Sequence, residues 1–256
     1  MLPPLKGWEA TRNSLHRAAR VMGLLRKASI GRRPNALHLA LFLTTDGLTT
    51  ERMVDGSRLD FSFAAGELRG VRGNGQAFTL PLADQTAEAL LATSARALGR
   101  DLAELDPLDD LDASFEVNAA MAADYAQVLN TAFVGLARLR ARLLGSMTPM
   151  VVWPHGFDLS GLWFMGDTAD EQRDPHVNLG FSPGSAGFPR PYLYAYAWPW
   201  PEGVESRTLP APARWTNVGW NGAVLDYDAL LGDPDPVGTI THCATAAFNA
   251  LTGQSL

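Results

Sequence analysis

The chain has 256 residues, with 21 basic and 27 acidic side chains, a net charge of −6, one cysteine and 46% apolar content. Those figures exclude a disulfide scaffold, because Cys243 has no partner in the chain, and a disordered chain, because so much apolar content at modest charge supports a core. No apolar run approaches the ~18 residues of a membrane helix, no signal-peptide apolar region opens the sequence, and the acidic balance argues against a nucleic-acid groove. The expectation is a soluble, cytoplasmic protein with neither nucleic acid nor membrane as partner.

A first helix is predicted over residues 8–27, where Trp8, Leu15, Ala18, Met22 and Leu25 share one face and Arg12, His16, Arg20 and Lys27 the other. Eight basic residues stand against Glu9 up to residue 33, which reads as a solvated helix face. Gly31 and Pro34 end the helix. The period then becomes two: Leu37, Leu39, Leu41 and Leu43 alternate with His38, Ala40, Phe42 and Thr44, predicting a buried strand over 37–44. Leu59, Phe61 and Phe63 repeat it, and turns at Ala65-Gly66 and Gly73-Asn74-Gly75 lead into strands ending near Val71 and Leu82. Short strands joined by short turns make an antiparallel sheet. A helix follows over about 83–98.

Residues 101–112 hold six acids and a proline, and mark an acidic linker without the glycine or terminal glutamate of a calcium loop. The longest helix is expected over 119–144. The second half then echoes the first: strands near 150–153 and 157–164, a long Gly/Pro-rich loop over 166–190, strands near 191–200, 213–218 and 222–227, and a closing helix over 236–252 with Asp235 as N-cap and Pro236 in its first turn. The fold class is α+β, with antiparallel sheets and covering helices, and its halves read as diverged helix–strands–helix repeats. The expected units are 1–100, an acidic linker over 101–117, and 118–256; the two can also pack as one domain.

Several stretches resemble, in order and spacing, the bacterial family catalogued as domain of unknown function 5996. They are Leu37-His38-Leu39 running into Thr45-Asp46-Gly47-Leu48-Thr49-Thr50, Leu59-Asp60-Phe61-Ser62-Phe63, Trp153-Pro154-His155-Gly156-Phe157-Asp158-Leu159, Gly180-Phe181-Ser182-Pro183-Gly184, and residues 192–199. The resemblance spans nearly the whole chain. It departs at Ala36-Leu37, where the family tends to carry tryptophans, and at Ala113-Ser114-Phe115, where it tends to carry a histidine and a tyrosine. It implies a soluble bacterial protein and no particular reaction.

Gly180-Phe181-Ser182-Pro183-Gly184 matches the serine-hydrolase elbow pattern, yet reads as a turn. The residue after the nucleophile must donate its backbone N–H to the oxyanion, and Pro183 has none. The five histidines show no metal-ligand spacing; His155, Asp158 and His176 are the nearest approach to a cluster, and neither metal nor cofactor is expected. His38 reads as a hydrogen-bonded core histidine, and Cys243 as buried filler.

Of the 23 aromatic residues, 15 fall after residue 150. Tyr192, Tyr194, Tyr196, Trp198 and Trp200 alternate with Leu193, Ala195 and Ala197, so strand geometry points all five rings one way. Each ring carries a polar handle, which suits a groove floor or an interface better than a dry core. The leading expectation is an aromatic-lined cleft binding a small organic molecule, with Tyr192, Tyr194, Tyr196, Trp198, Trp153 and His38 as ligand-binding candidates. Two alternatives stay open: an enzyme using His155 and Asp158 as an acid–base pair, and an interaction module or homo-oligomer covering the 192–200 strip.

Overall fold

In the computed structural model, which describes residues 1–105, 108–110 and 112–256, the chain runs α1 (Glu9–Ser29), β1 (Phe42–Leu43), β2 (Gly47–Thr49), β3 (Arg58–Ser62), β4 (Glu67–Val71), β5 (Ala77–Pro81), α2 (Ala87–Ala97), α3 (Ala119–Arg140), β6 (Val151–Trp153), β7 (Asp158–Phe164), β8 (His176–Ser182), β9 (Tyr192–Trp198), β10 (Arg214–Thr216), β11 (Gly222–Asp226) and α4 (Pro236–Thr252). Residues 106, 107 and 111 of the expected acidic linker lie outside the described residues. The fold is α+β with two antiparallel sheets. Among the described residues no helix is long and apolar enough to cross a membrane.

The chain forms two compact units. The first holds Leu5–Gln127 and Val151–Phe157. Its sheet runs β1-β2-β3-β4-β5, each strand antiparallel to the next, with Phe61 opposite Leu68 and Leu68 opposite Leu80. Trp8, Phe61, Phe63, Tyr125 and Phe157 fill the core, each at most 1% exposed. Trp8 and Tyr125 lie 4.6 Å apart between ring centres, and Tyr125 and Phe157 5.5 Å. Helix α1 lies close against the 151–157 segment because Gly23 has no side chain: a Cβ there would stand 2.4 Å from Pro154 Cγ.

The expected strand over 37–44 shrinks to Phe42–Leu43. Asn35 and Ala36 both adopt positive φ of 52°, and the amides of Leu37 and Leu39 bond back to the carbonyls of Pro34 and Ala36. The chain is therefore turning where the leucine alternation reads as extended; Leu41 alone reaches a bridge, with Val152. His38 sits on this turn, not on a strand, partly buried, and its Nδ1 accepts the Arg33 amide at 3.3 Å. Burial, then Lys27 and Arg32 beside it, push its pKa down.

The second unit holds Met1–Pro4, Val128–Met150 and Asp158–Leu256. Its strands order β10-β11-β9-β8-β7, all antiparallel. Strand β8 occupies the stretch expected as a loop. The C-terminal part of α3 and helix α4 cover one face, where Gly135 admits Ile240: a Cβ on Gly135 would be 2.5 Å from Ile240 Cγ2, and Thr241 donates to the Gly135 carbonyl at 3.0 Å. Helix α4 starts and stops as its sequence prescribes. Asp235 accepts the Gly238 amide at 2.9 Å, and Gly253 closes the helix at φ 71°. The first residues strap this unit from below in sequence: the Tyr227 hydroxyl donates to the Pro3 carbonyl, and Leu2 is buried.

Candidate functional site

Strand β9 has two unlike faces. Leu193, Ala195 and Ala197 point to the helices, and the void that Leu193 and Ala195 share with Ile240, Cys243, Ala244 and Ala247 measures about 20 Å³. That is far too small for an organic ligand, which needs roughly 300 Å³ or more. Cys243 is buried there, and burial raises its thiol pKa, so the thiolate a nucleophile requires is disfavoured.

The other face carries Tyr192, Tyr194, Tyr196 and Trp198. Register on β8 sets Ser182 beside Tyr192, Gly180 beside Tyr194, Asn178 beside Tyr196 and His176 beside Trp198; on β7, Ser160 lies beside Gly180. Directly opposed residues share a face, so the tyrosines meet a polar row. The strand stops at Trp198, and this corrects one expectation: Trp200 leaves the row and joins Trp215, 5.9 Å away.

Tyr194 is the keystone. Its ring lies across Gly180, where a Cβ would come within 2.3 Å of Cζ, and its hydroxyl donates to Asp158 Oδ2 at 2.5 Å. Ser160 bonds the same hydroxyl. Burial first, and then the Asp158 charge, hold the Tyr194 pKa well above that of an ordinary phenol. The first glycine of the apparent hydrolase motif thus serves as a cradle for a tyrosine. Ser182 is buried, ends a strand that runs into a turn, and accepts the Gly184 amide at 3.2 Å. No elbow forms.

Next to it, Asn178 Nδ2 donates to the Tyr196 hydroxyl at 2.9 Å, while its Oδ1 is buried without a partner among the described residues. Burial also raises the Tyr196 pKa. Trp220, from the turn between β10 and β11, stands edge-on to both rings, 6.1 Å from Tyr194 and 6.0 Å from Tyr196. Phe188 closes the Tyr192 end at 4.7 Å, and the Tyr192 hydroxyl bonds Ser185 at 2.8 Å. At the opposite end Trp198 is 45% exposed, its ring 5.8 Å from His176. The result is a shelf: sealed at Tyr192, open at Tyr196 and Trp198.

Of the remaining candidates, Trp153, His155 and His38 lie in the first unit and Asp158 in the second. Trp153 ends β6, with the exposed His155 ring 6.3 Å from it, and His38 occupies the turn described above. Asp158, the other half of the expected acid–base pair, opens β7 and is held by Tyr194. Among the described residues no group of three or more His, Cys, Asp or Glu is placed to hold a metal. Asn178 and Trp220 are the residues that sequence reasoning did not single out as a pair. Asn178 fell in the presumed loop, although Val177, Leu179 and Phe181 alternate with it as a strand requires.

A family of unknown function (DUF5996) matches residues 2–255 of the chain. No curated protein and no solved structure matches it.

Proposed function

The chain belongs to that DUF5996 family, and from this premise and the shelf's geometry we propose that it binds a small organic molecule over Tyr194, Tyr196, Trp198 and Trp220, in a cytoplasmic setting where its single thiol stays reduced. The observation that carries the reading is the Asn178 amide. One of its polar atoms is paired to Tyr196 and the other is buried without a partner among the described residues. A buried polar group left unpaired costs about 1–3 kcal/mol, which a fold can avoid with an apolar residue of similar size. Such a group beside an aromatic floor is supported best as a ligand contact made when the Asn178 amide turns toward the open end of the shelf, with the rings supplying stacking and apolar area. Asp158 contributes by fixing Tyr194, so that the floor is rigid before a ligand arrives.

The test separates binding from folding. Asn178→Leu is expected to leave stability within about 1 kcal/mol of wild type or above it, since it removes an unpaired group. The same substitution is expected to abolish small-molecule adducts seen by native mass spectrometry on protein purified without added ligand, and saturation-transfer signals from a library of planar heterocycles. Wild-type protein that carries no adduct and gives no signal sinks the proposal, as does an Asn178→Leu variant that retains both.

A further inference from the structure

Beyond the shelf, the second unit contains a cavity of about 350 Å³ lined by Trp200, Glu205, Trp215, Thr216, Asn217 and Asn221. The geometry points to a second binding site here, specific for a small organic cation of the quaternary or methylated ammonium class.

Three features carry it. The Trp200 and Trp215 rings meet at 88°, with centres 5.9 Å apart, so the pair forms a corner of π surface rather than a flat stack. Tryptophan is the strongest side-chain partner for a cation, and two rings at an angle surround one better than two in parallel. The Trp215 N–H is already taken by the Arg207 carbonyl at 2.7 Å, which fixes that indole and spends its donor. A ligand against the Trp215 ring therefore meets its π face rather than its N–H.

Charge points the same way. Among the described residues Glu205 is the one ionised side chain lining the cavity, and no Lys, Arg or His lines it. Arg207, two residues on, turns its guanidinium to the Ala250 carbonyl at 2.5 Å. The cavity is therefore net negative, which favours a cation and opposes phosphates and carboxylates. Asn217 and Asn221 are exposed at the rim and offer carbonyl acceptors to any N–H that partial methylation leaves. This site shares no residue with the Asn178 shelf, so neither reading depends on the other.

The experiment is a titration of the full chain with tetramethylammonium and with choline, read by tryptophan fluorescence and by saturation transfer from the N-methyl protons. The neutral isostere 3,3-dimethyl-1-butanol serves as control. Saturable binding of both cations is expected, with the isostere at least about tenfold weaker. Trp200→Leu is expected to weaken cation binding about tenfold, Glu205→Gln about three- to tenfold, and Asn178→Leu not at all. Glu205 is exposed on the surface, so its variant tests the proposal even if Trp200→Leu fails to fold. No saturable response to either cation overturns the proposal; so does equal binding of the neutral isostere, or binding of a neutral pyranose in place of the cations.

Discussion

Gly180 shows how one residue type at one position organises the shelf. On strand grounds it is a poor choice, since alanine there would gain about 0.5–1 kcal/mol of backbone entropy. The Tyr194 ring reverses the sign. A methyl group at 180 comes within 2.3 Å of Cζ and 2.5 Å of the hydroxyl oxygen, so the ring must lift and the 2.5 Å bond to Asp158 breaks. Overpacking costs about 1–3 kcal/mol, and a hydrogen bond to a charged group is worth about 1.5–3. Gly180→Ala is accordingly expected to lower the unfolding free energy by about 2–4 kcal/mol in urea, at unchanged m. In a Tyr194→Ala background the same substitution should cost clearly less but not nothing, because the Leu159 carbonyl oxygen, 2.7 Å from the added Cβ, still crowds it. Equal costs in both backgrounds would show that the glycine serves some other need. The residues at 180–184 are also where a motif is most misleading when read without its context: the pattern is present, but the strand, the tyrosine and Pro183 assign each member a different task.

At the scale of elements, the pieces that declare themselves locally were legible in the sequence. Helix α4 has its N-cap, its proline and its closing glycine, and the structure places it at Pro236–Thr252. Strands β3, β4 and β5 follow their alternation and their glycine turns. Two elements misled for opposite reasons. Over 37–44 the leucine alternation was strong, but two positive-φ residues ahead of it curl the chain, a choice that side-chain pattern does not encode. Over 176–182 the alternation of Val177, Leu179 and Phe181 was present, but Gly180, Pro183 and Gly184 read as punctuation. The docking of α1 was likewise invisible, because it depends on partners about 140 residues away. His16 Nε2 donates to the carbonyls of Pro154 at 2.9 Å and His155 at 3.2 Å, and its ring stacks on Phe157 at 5.4 Å. Burial, with Arg12 and Arg20 nearby, lowers its pKa. The folded state thus binds its proton less readily than the unfolded chain does. Above the unfolded pKa near 6.5 both states are neutral; below it the unfolded chain is protonated first, and stability falls as the pH drops, at most about 1.4 kcal/mol per pH unit. Wild-type protein is expected to lose stability between pH 7.5 and 5.5, and His16→Gln, which keeps a donor but cannot ionise, to lose measurably less. Parallel thermal-melt profiles against pH would remove His16 from the account.

At the scale of the whole molecule, the path of the chain matters more than its composition. The chain passes from one unit to the other after Pro4, after Gln127, after Met150 and after Phe157. Helix α3 contributes Tyr125 to the first unit and its later turns, from Val128, to the second. The core of the first unit therefore cannot be completed by the residues ahead of the acidic stretch: of Trp8, Phe61, Phe63, Tyr125 and Phe157, the last two arrive only after it. Losing a large buried aromatic costs about 3–5 kcal/mol, and two such losses match the entire 5–15 kcal/mol that holds an ordinary domain folded. A fragment ending at residue 117 is expected to stay unfolded or loosely collapsed, with poor amide dispersion in its nitrogen-correlated NMR spectrum and no near-UV circular dichroism from Trp8. Extending it to residue 157 supplies both rings, and is expected to restore dispersion for the strands of the first sheet. A well-dispersed spectrum and a cooperative melt from the 117-residue fragment would show that the core closes without Tyr125 and Phe157. The second unit likewise draws on distant chain: Tyr227 and Arg190 bond to the carbonyls of Pro3 and Pro4. The aromatic shelf and the tryptophan corner should therefore be probed in the full chain, where those first four residues are in place.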